Sequence, residues 1–249
     1  MKKNILITLA LSVAVIGCVG GTPEEHFGKG VQAFQAGDSL NSIKEFTYAI
    51  RKDPGFADAY YNLGIIYSNP KHRGEAIRCF DSALKYNPKY EAAYISLGQA
   101  YLNSDSLDRA VAAFKQGLAN CSNPAVFYSN IGYCYLTRTA PDSAVKYFKQ
   151  AIALDPGNAD NYYNLAYGLT KERDLNESIK SLRLAIKYDP QKIEAYYLLG
   201  SRLASKKPRT KEETGEAIRA LDLFLKNDQG SMIQNDIAKK KLGLLRGDQ

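Results

Sequence analysis

The side chains of this chain that could do acid–base or covalent chemistry are few and poorly matched. Its two histidines, His26 and His72, have no partner pattern for a metal or for a nucleophile–base pair. No G-x-S-x-G, H-E-x-x-H or P-loop sequence occurs. The stretch "FGKG" (Phe27 to Gly30) faintly suggests a phosphate loop. It has Pro23 where such a loop needs a glycine, and Gly30 where it needs Ser or Thr. The four cysteines, Cys18, Cys79, Cys121 and Cys134, lack metal-ligand spacing. The last three read as buried thiols, with a Cys121–Cys134 bridge as the alternative in an oxidising compartment. No catalytic residue, metal site or cofactor is assigned, and an enzyme is not expected. What the chain has in quantity is contact chemistry: 18 tyrosines, and asparagines beside several of them. Tyrosine offers a large face with a polar tip, and the asparagine amide both donates and accepts.

These residues recur in phase. "AYYNLGIIY" (Ala59 to Tyr67) returns as "AYISLGQAY" (Ala93 to Tyr101), "FYSNIGYCY" (Phe127 to Tyr135), "NYYNLAYGL" (Asn161 to Leu169) and "AYYLLGSRL" (Ala195 to Leu203). One stripe holds Phe27, Tyr61, Ile95, Ser129, Tyr163 and Tyr197. A turn later come Val31, Ile65, Gln99, Tyr133, Tyr167 and Ser201, and beside the first set lie Gly28, Asn62, Ser96, Asn130, Asn164 and Leu198. Core packing does not obviously need these positions. An asparagine ladder could pair with a peptide backbone whatever its side chains; the bland alternative is that the asparagines bond within their own repeat while the tyrosines half-pack against the next one.

The elements behind the stripe are helices. Tyr60, Leu63, Gly64 and Tyr67 fall at i, i+3, i+4 and i+7. A second motif follows each first one, with starts at 42, 76, 110, 144 and 178, each 34 residues apart. It carries a small residue (Ser42, Ala76, Ala110, Ala144, Ser178, and Ala217 after an insertion) and, four places on, a large one (Phe46, Phe80, Phe114, Phe148, Leu182, Leu221). Pro54, Pro88, Pro156 and Pro190 stop the second helix, since proline cannot continue it. Ser122 stands there in the third unit, so its turn is expected to differ. Gly64 returns as Gly30, Gly98, Gly132, Ala166 and Gly200. A helical glycine costs about 1 kcal/mol against alanine, so its persistence suggests a backbone passing close by. Helices of this length are marginal alone, so the units must stack.

The 34-residue period with these residues resembles the tetratricopeptide repeat, over nearly all of the chain beyond residue 22. The resemblance implies an all-α, right-handed superhelical solenoid of about six helix–turn–helix units: 23–56, 57–90, 91–124, 125–158, 159–192 and 193–230. The last unit carries the insertion 205–216, and 231–249 form a capping helix and tail, with Ser231 as N-cap and Ile233, Ile237, Leu242 and Leu245 facing inward. In that family the extra stripe lines a concave groove for extended peptides or partner helices. Carried onto this chain, the groove comprises Tyr61, Asn62, Ile65, Gln99, Asn130, Tyr133, Tyr163, Asn164, Tyr167 and Tyr197. The densest cluster is Tyr133, Tyr163 and Tyr167 with Asn130 and Asn164. Some relatives clamp a terminal carboxylate with paired lysines. Here Lys171 lies near the right face without a matching basic set, so that mode is not expected.

The N-terminus reads separately. "MKKNILITLALSVAVIGC" has two lysines and then an apolar run from Ile5 to Ile16, too short for a span of about 20 apolar residues. Its end, "VIGC", resembles the lipobox of bacterial lipoprotein precursors. That resemblance implies a signal peptide at 1–17 and acylation (palmitate among the chains) of Cys18, with a short tether at 18–22. Four tether residues reach at most about 14 Å, so the folded part begins close to the bilayer. Val19 lacks an acidic retention signal, which points to the outer membrane, facing the periplasm, of a bacterial envelope. Without Lys2 and Lys3 the net charge of +7 becomes +5, and the basic residues are spread out, so nucleic acid is not an expected partner. The expected protein is a membrane-anchored scaffold that binds a protein or peptide and helps assemble an envelope complex, similar in architecture to type IV pilus pilotin lipoproteins. A spacer or self-associating lipoprotein without a peptide ligand is the alternative. The oligomeric state stays open.

Overall fold

The computed structural model describes residues 20–169, 174–227 and 231–247. The signal segment, Cys18 and Lys171 lie outside them. Among the described residues there are thirteen helices and no strand. They are α1 (Pro23–Gln35), α2 (Ser39–Lys52), α3 (Ala57–Ile66), α4 (Arg73–Tyr86), α5 (Glu91–Leu102), α6 (Leu107–Asn120) and α7 (Pro124–Thr137). The series continues with α8 (Pro141–Leu154), α9 (Ala159–Gly168), α10 (Leu175–Tyr188), α11 (Ile193–Ser205), α12 (Lys211–Asn227) and α13 (Met232–Gly247). Each helix packs on its neighbours in sequence, and beyond these α7 also meets α9 and α11 meets α13. This is a solenoid, and its buried residues form clusters strung along the stack rather than one central core.

A glycine and a ring hold each pair together. A Cβ on Gly64 would lie 2.4 Å from the Phe80 ring, and one on Gly98 would lie 2.3 Å from Phe114. Gly30 meets Phe46 and Gly132 meets Phe148 in the same way. The neighbour that requires glycine is therefore a side chain of the paired helix, not the backbone inferred from the pattern. Only at Gly200 does a backbone atom, Ala217 O, come close, and there Leu221 comes closer still. Where the ring shrinks to Leu182, the glycine becomes Ala166. The small residue four places before the ring lets the helices approach. Where it is serine its hydroxyl donates to the partner helix: Ser42 Oγ to Gly30 O and Ser178 Oγ to Ala166 O, both 2.9 Å.

The turns between units follow their side chains. Asp53, Asn87, Asp155 and Asp189 each accept a hydrogen bond from the backbone N–H two residues on. The third unit has Cys121 at this place, with ψ 159° where the others lie near 90°, so its turn does differ. Cys79, Cys121 and Cys134 are free thiols, which overturns the Cys121–Cys134 bridge. Cys134 is buried and Cys79 and Cys121 are half-buried; burial pushes Cys79 and Cys134 up to about 11 and raises Cys121 as well.

The C-terminal end departs from expectation in two places. Of the insertion 205–216, Lys211 onward is helical and lengthens α12 to 17 residues, with Thr210 and Glu213 forming a capping box. In α13 the inward residues are Ala238, Leu242 and Leu245. Ile233 and Ile237 are 72% and 39% exposed, contrary to the predicted inward face. The reason is register. Ala238-x-x-x-Leu242-Gly243 repeats Ala59-x-x-x-Leu63-Gly64, so α13 stacks as one more first helix. Beside its unfilled Gly243 notch it bears Lys239 and Lys240, which end the stack in water.

Gly98→Ala is expected to lower stability by about 1–2 kcal/mol, although alanine gains about 1 kcal/mol in helix propensity. Combined with Phe114→Leu, which copies the Ala166–Leu182 pair, it should cost about 1 kcal/mol less than the two single changes summed. Urea unfolding of the four proteins measures this; strict additivity would refute the interlock.

Candidate partner-binding groove

The sequence-assigned groove residues sit on the first helices of the pairs. Tyr61, Tyr163 and Tyr197 are half-buried and reach toward the next unit or the paired helix. Tyr61 lies 4.9 Å from the Tyr90 ring, Tyr197 lies 4.8 Å from Phe224, and Lys192 Nζ sits 5.3 Å over Tyr163. Tyr90 and Lys192 cap α5 and α11, so Tyr61 and Tyr163 reach the next first helix, whereas Tyr197 packs on its own paired helix α12. Burial raises the Tyr163 phenol, with Glu194 and Tyr167 adding to it. One turn on, Tyr133 and Tyr167 are 47% and 55% exposed. Ile65 is half-buried, and Gln99 is exposed, bonding Asn103 at 3.2 Å.

The asparagine amides are partly engaged within their own repeats. Asn62 Nδ2 donates to Asp58 O and Asn130 Nδ2 to Val126 O, each at 2.8 Å and one helical turn back. One donor of each amide is engaged by its own helix, which leaves one N–H and the carbonyl oxygen for a ligand. Asn164 is half-buried and makes no side-chain hydrogen bond among the described residues.

The structure brings Asn130, Tyr133 and Asn164 to one cleft of about 420 Å³ between α7 and α9. Tyr163 and Tyr167 do not line it. Its remaining walls are Asn123, Ala125, Val126 and Ser129 on one side and Asp155, Asn158, Asp160 and Asn161 on the other. The cleft exists because the repeat breaks its own rule there. Ser129 stands where four other units place a tyrosine or phenylalanine ring and one an isoleucine, and Asn161 stands where three others have alanine. Asn161 is 2% exposed, and its Oδ1 accepts from Ser129 Oγ at 2.6 Å. Nearby, Phe127 replaces another of those alanines and Gly117 makes room for it. A Cβ at Gly117 would lie 2.2 Å from that ring. At the rim Asp160 pairs with Lys192, and Asp155 accepts from Gly157 N at 3.3 Å. The cleft thus offers amides, hydroxyls and carboxylates above a small apolar floor, which suits an extended backbone with polar side chains.

Asn123, Asp155, Asn158, Asp160 and Asn161 were missed by reading only the stripe. Their signal was present as two departures from phase, Ser129 and Asn161. The histidines play no part in the cleft. His26 is buried and bonds Glu45 at 2.7 Å, tying α1 to α2, and His72 is exposed before α4. "FGKG" is helical, with Gly30 under the Phe46 ring.

A stack of helix pairs presenting a row of first helices defines a repeat scaffold for macromolecular contact. Models of the tetratricopeptide repeat match residues 45–78, 72–123 and 135–203. The chain is a tetratricopeptide-repeat protein. No match was found among curated protein sequences. Among solved structures it is similar to Pseudomonas aeruginosa pilF, with TM-score 0.71 and 16% identity over 88% of this chain and 97% of that one. It is also similar to PilW, described as a widely conserved type IV pilus biogenesis factor (TM-score 0.68, 16% identity, 86% and 97% covered). A third is YrrB, described as having an unusual peptide-binding site (TM-score 0.58, 22% identity, 78% and 97% covered). These likenesses concern the fold.

Asn161→Ala is expected to change stability by no more than about 1 kcal/mol, because alanine already fills this place in three units and Ala125 O remains 3.1 Å from Ser129 Oγ. Denaturant unfolding checks it; a loss above about 3 kcal/mol would make Asn161 a structural tie instead.

Proposed function

We propose that this chain is a lipid-anchored scaffold that holds a protein or peptide segment along its first helices, close to a bacterial membrane, and helps assemble an envelope complex. The observation that carries the reading is the α7–α9 cleft, opened where Ser129 and Asn161 replace the repeat's usual residues. A scaffold built only as a spacer has no use for that break. Tyr133 and Tyr167 flank the cleft as exposed rings of the kind that anchor interfaces. The pilus-related and peptide-binding neighbours support the same direction. Every unit contributes to one surface and no catalytic constellation was read, so the chain is proposed as a non-enzyme. The spacer reading in which the C-terminal helix fills the groove conflicts with α13, which continues the stack against α11 and α12.

A photo-crosslinking amino acid at Tyr133 or Tyr167 should capture the same partner in cells. Ser129→Tyr, which restores the ring found in other units, should fill the cleft, abolish the crosslink and leave the melting temperature within a few degrees, as expected of a change worth under about 1 kcal/mol. Unchanged crosslinking in that variant would sink the cleft as the contact site. Separately, Cys18→Ser should eliminate labelling by an alkyne palmitate analogue and release the chain from the membrane fraction; persistent labelling would move the anchor elsewhere.

A further inference from the structure

One position of the repeat covers the stripe of the preceding first helix. Phe56 lies 5.1 Å from the Phe27 ring, and Tyr90 lies 4.9 Å from Tyr61. Lys192 Nζ sits 5.3 Å over Tyr163 while pairing with Asp160. Phe56, Tyr90 and Lys192 stand in phase with one another, and so do the rings they cover. At the α7–α9 junction the same position belongs to Asn158, and the covered places are Val126 and Ser129. Asn158 does not reach over them. Its Oδ1 turns back and accepts from Asn161 N at 3.1 Å, capping α9. The cleft stands where this cover is missing.

The lining narrows the chemistry of what could take that place. Ala125 and Val126 give a short apolar floor. The charged groups of the lining are two carboxylates, Asp155 and Asp160, in a chain whose net charge is +7. Asp160 has Lys192, but Asp155 has no cationic partner among the described residues. Asn161 is 2% exposed, and its Oδ1 is taken by Ser129 Oγ, while its Nδ2 has no partner among the described residues. A buried amide donor is costly to leave unpaired, so this one is set for an acceptor that enters the cleft. At the next junction the chain shows how it fills the same place, with a lysine whose head meets a carboxylate and a tyrosine face.

We propose that the α7–α9 cleft selects a long basic side chain, Lys or Arg, of the bound segment. The aliphatic stem lies on Ala125 and Val126, and the cationic head reaches Asp155 and the Tyr133 ring. Asn161 Nδ2 donates to a backbone carbonyl beside that residue. An acidic side chain would meet two carboxylates there and no cation of the lining. The proposal rests on the groove reading and adds the class of residue that the groove selects.

The test uses the full chain in detergent and acetylated, amidated Ser-Ser-X-Ser-Ser peptides carrying an uncharged dye, read by anisotropy. X is Lys, Arg, norleucine or Glu. At low salt the Lys or Arg probe, the stronger naming the preferred head, should bind about threefold or more tighter than norleucine, with Glu weakest. Added salt should narrow that gap. Asp155→Asn should bring the Lys and Arg probes down to the norleucine affinity and leave norleucine unchanged. Its fold should hold, because Asn87 makes the same turn bond in the second unit at 3.1 Å. Asn158→Lys, which copies Lys192 and supplies the cation from the chain itself, should weaken the Lys and Arg probes by about threefold or more and carries the test if Asp155→Asn does not fold. No binding by any probe, equal affinity for Lys, norleucine and Glu, or a full Lys preference in Asp155→Asn would overturn the selection. Equal binding that Ser129→Tyr abolishes would do so while leaving the groove in place. Failure of the groove itself is read in the crosslinking at Tyr133 and Tyr167, which does not depend on the charge of any probe.

Discussion

The interlock of a missing Cβ with an aromatic ring sets the geometry of the whole molecule. The first four first helices keep a glycine where the paired helix inserts Phe46, Phe80, Phe114 or Phe148, all fully buried. The glycine costs helix stability, and the buried ring returns more, on the order of 2–3 kcal/mol. Because the notch admits one ring in one place, it fixes how the paired helices meet in the four units that carry it. Identical pairs then stack through a second face, Ala59, Leu63 and their counterparts, and a regular stack leaves its first helices in a row.

That row matters because regularity makes exceptions legible. A ring at the Tyr61 position closes the space between successive first helices, as the Tyr61–Tyr90 contact does. Ser129 cannot reach across, and the buried Asn161 meets it with a hydrogen bond instead of bulk. Phe127 and Gly117 trade size in the opposite direction one junction earlier, between α6 and α7. The cleft is local, and the units around it need no distortion to contain it.

The two ends of the groove differ in charge for the same structural reason. Near the cleft, carboxylates cap turns and pair across units, as Asp155 and Asp160 do. At the C-terminal end the stack stops, and α13 replaces the face that would receive another ring with lysines. One of its flanking lysines, Lys241, reaches α11 and donates to Ser201 O at 3.2 Å.

The sequence by itself determined the helix pairs, the 34-residue period, the ring and small-residue positions, and the stripe that holds Tyr133, Tyr167, Asn130 and Asn164. Those features are periodic, and each follows from contacts within one unit, so counting along the chain finds them. Tertiary structure decided what lies between units. It showed a ring rather than a backbone against the glycines, Asn62 and Asn130 amides turned back on their own helices, and Ile233 and Ile237 left in water. It also joined Ser129 to Asn161, 32 residues away, and brought Lys241 onto Ser201 O, 40 residues away. Such pairings depend on the rotation between successive units, which is a property of packed side chains in space and leaves no period in the sequence.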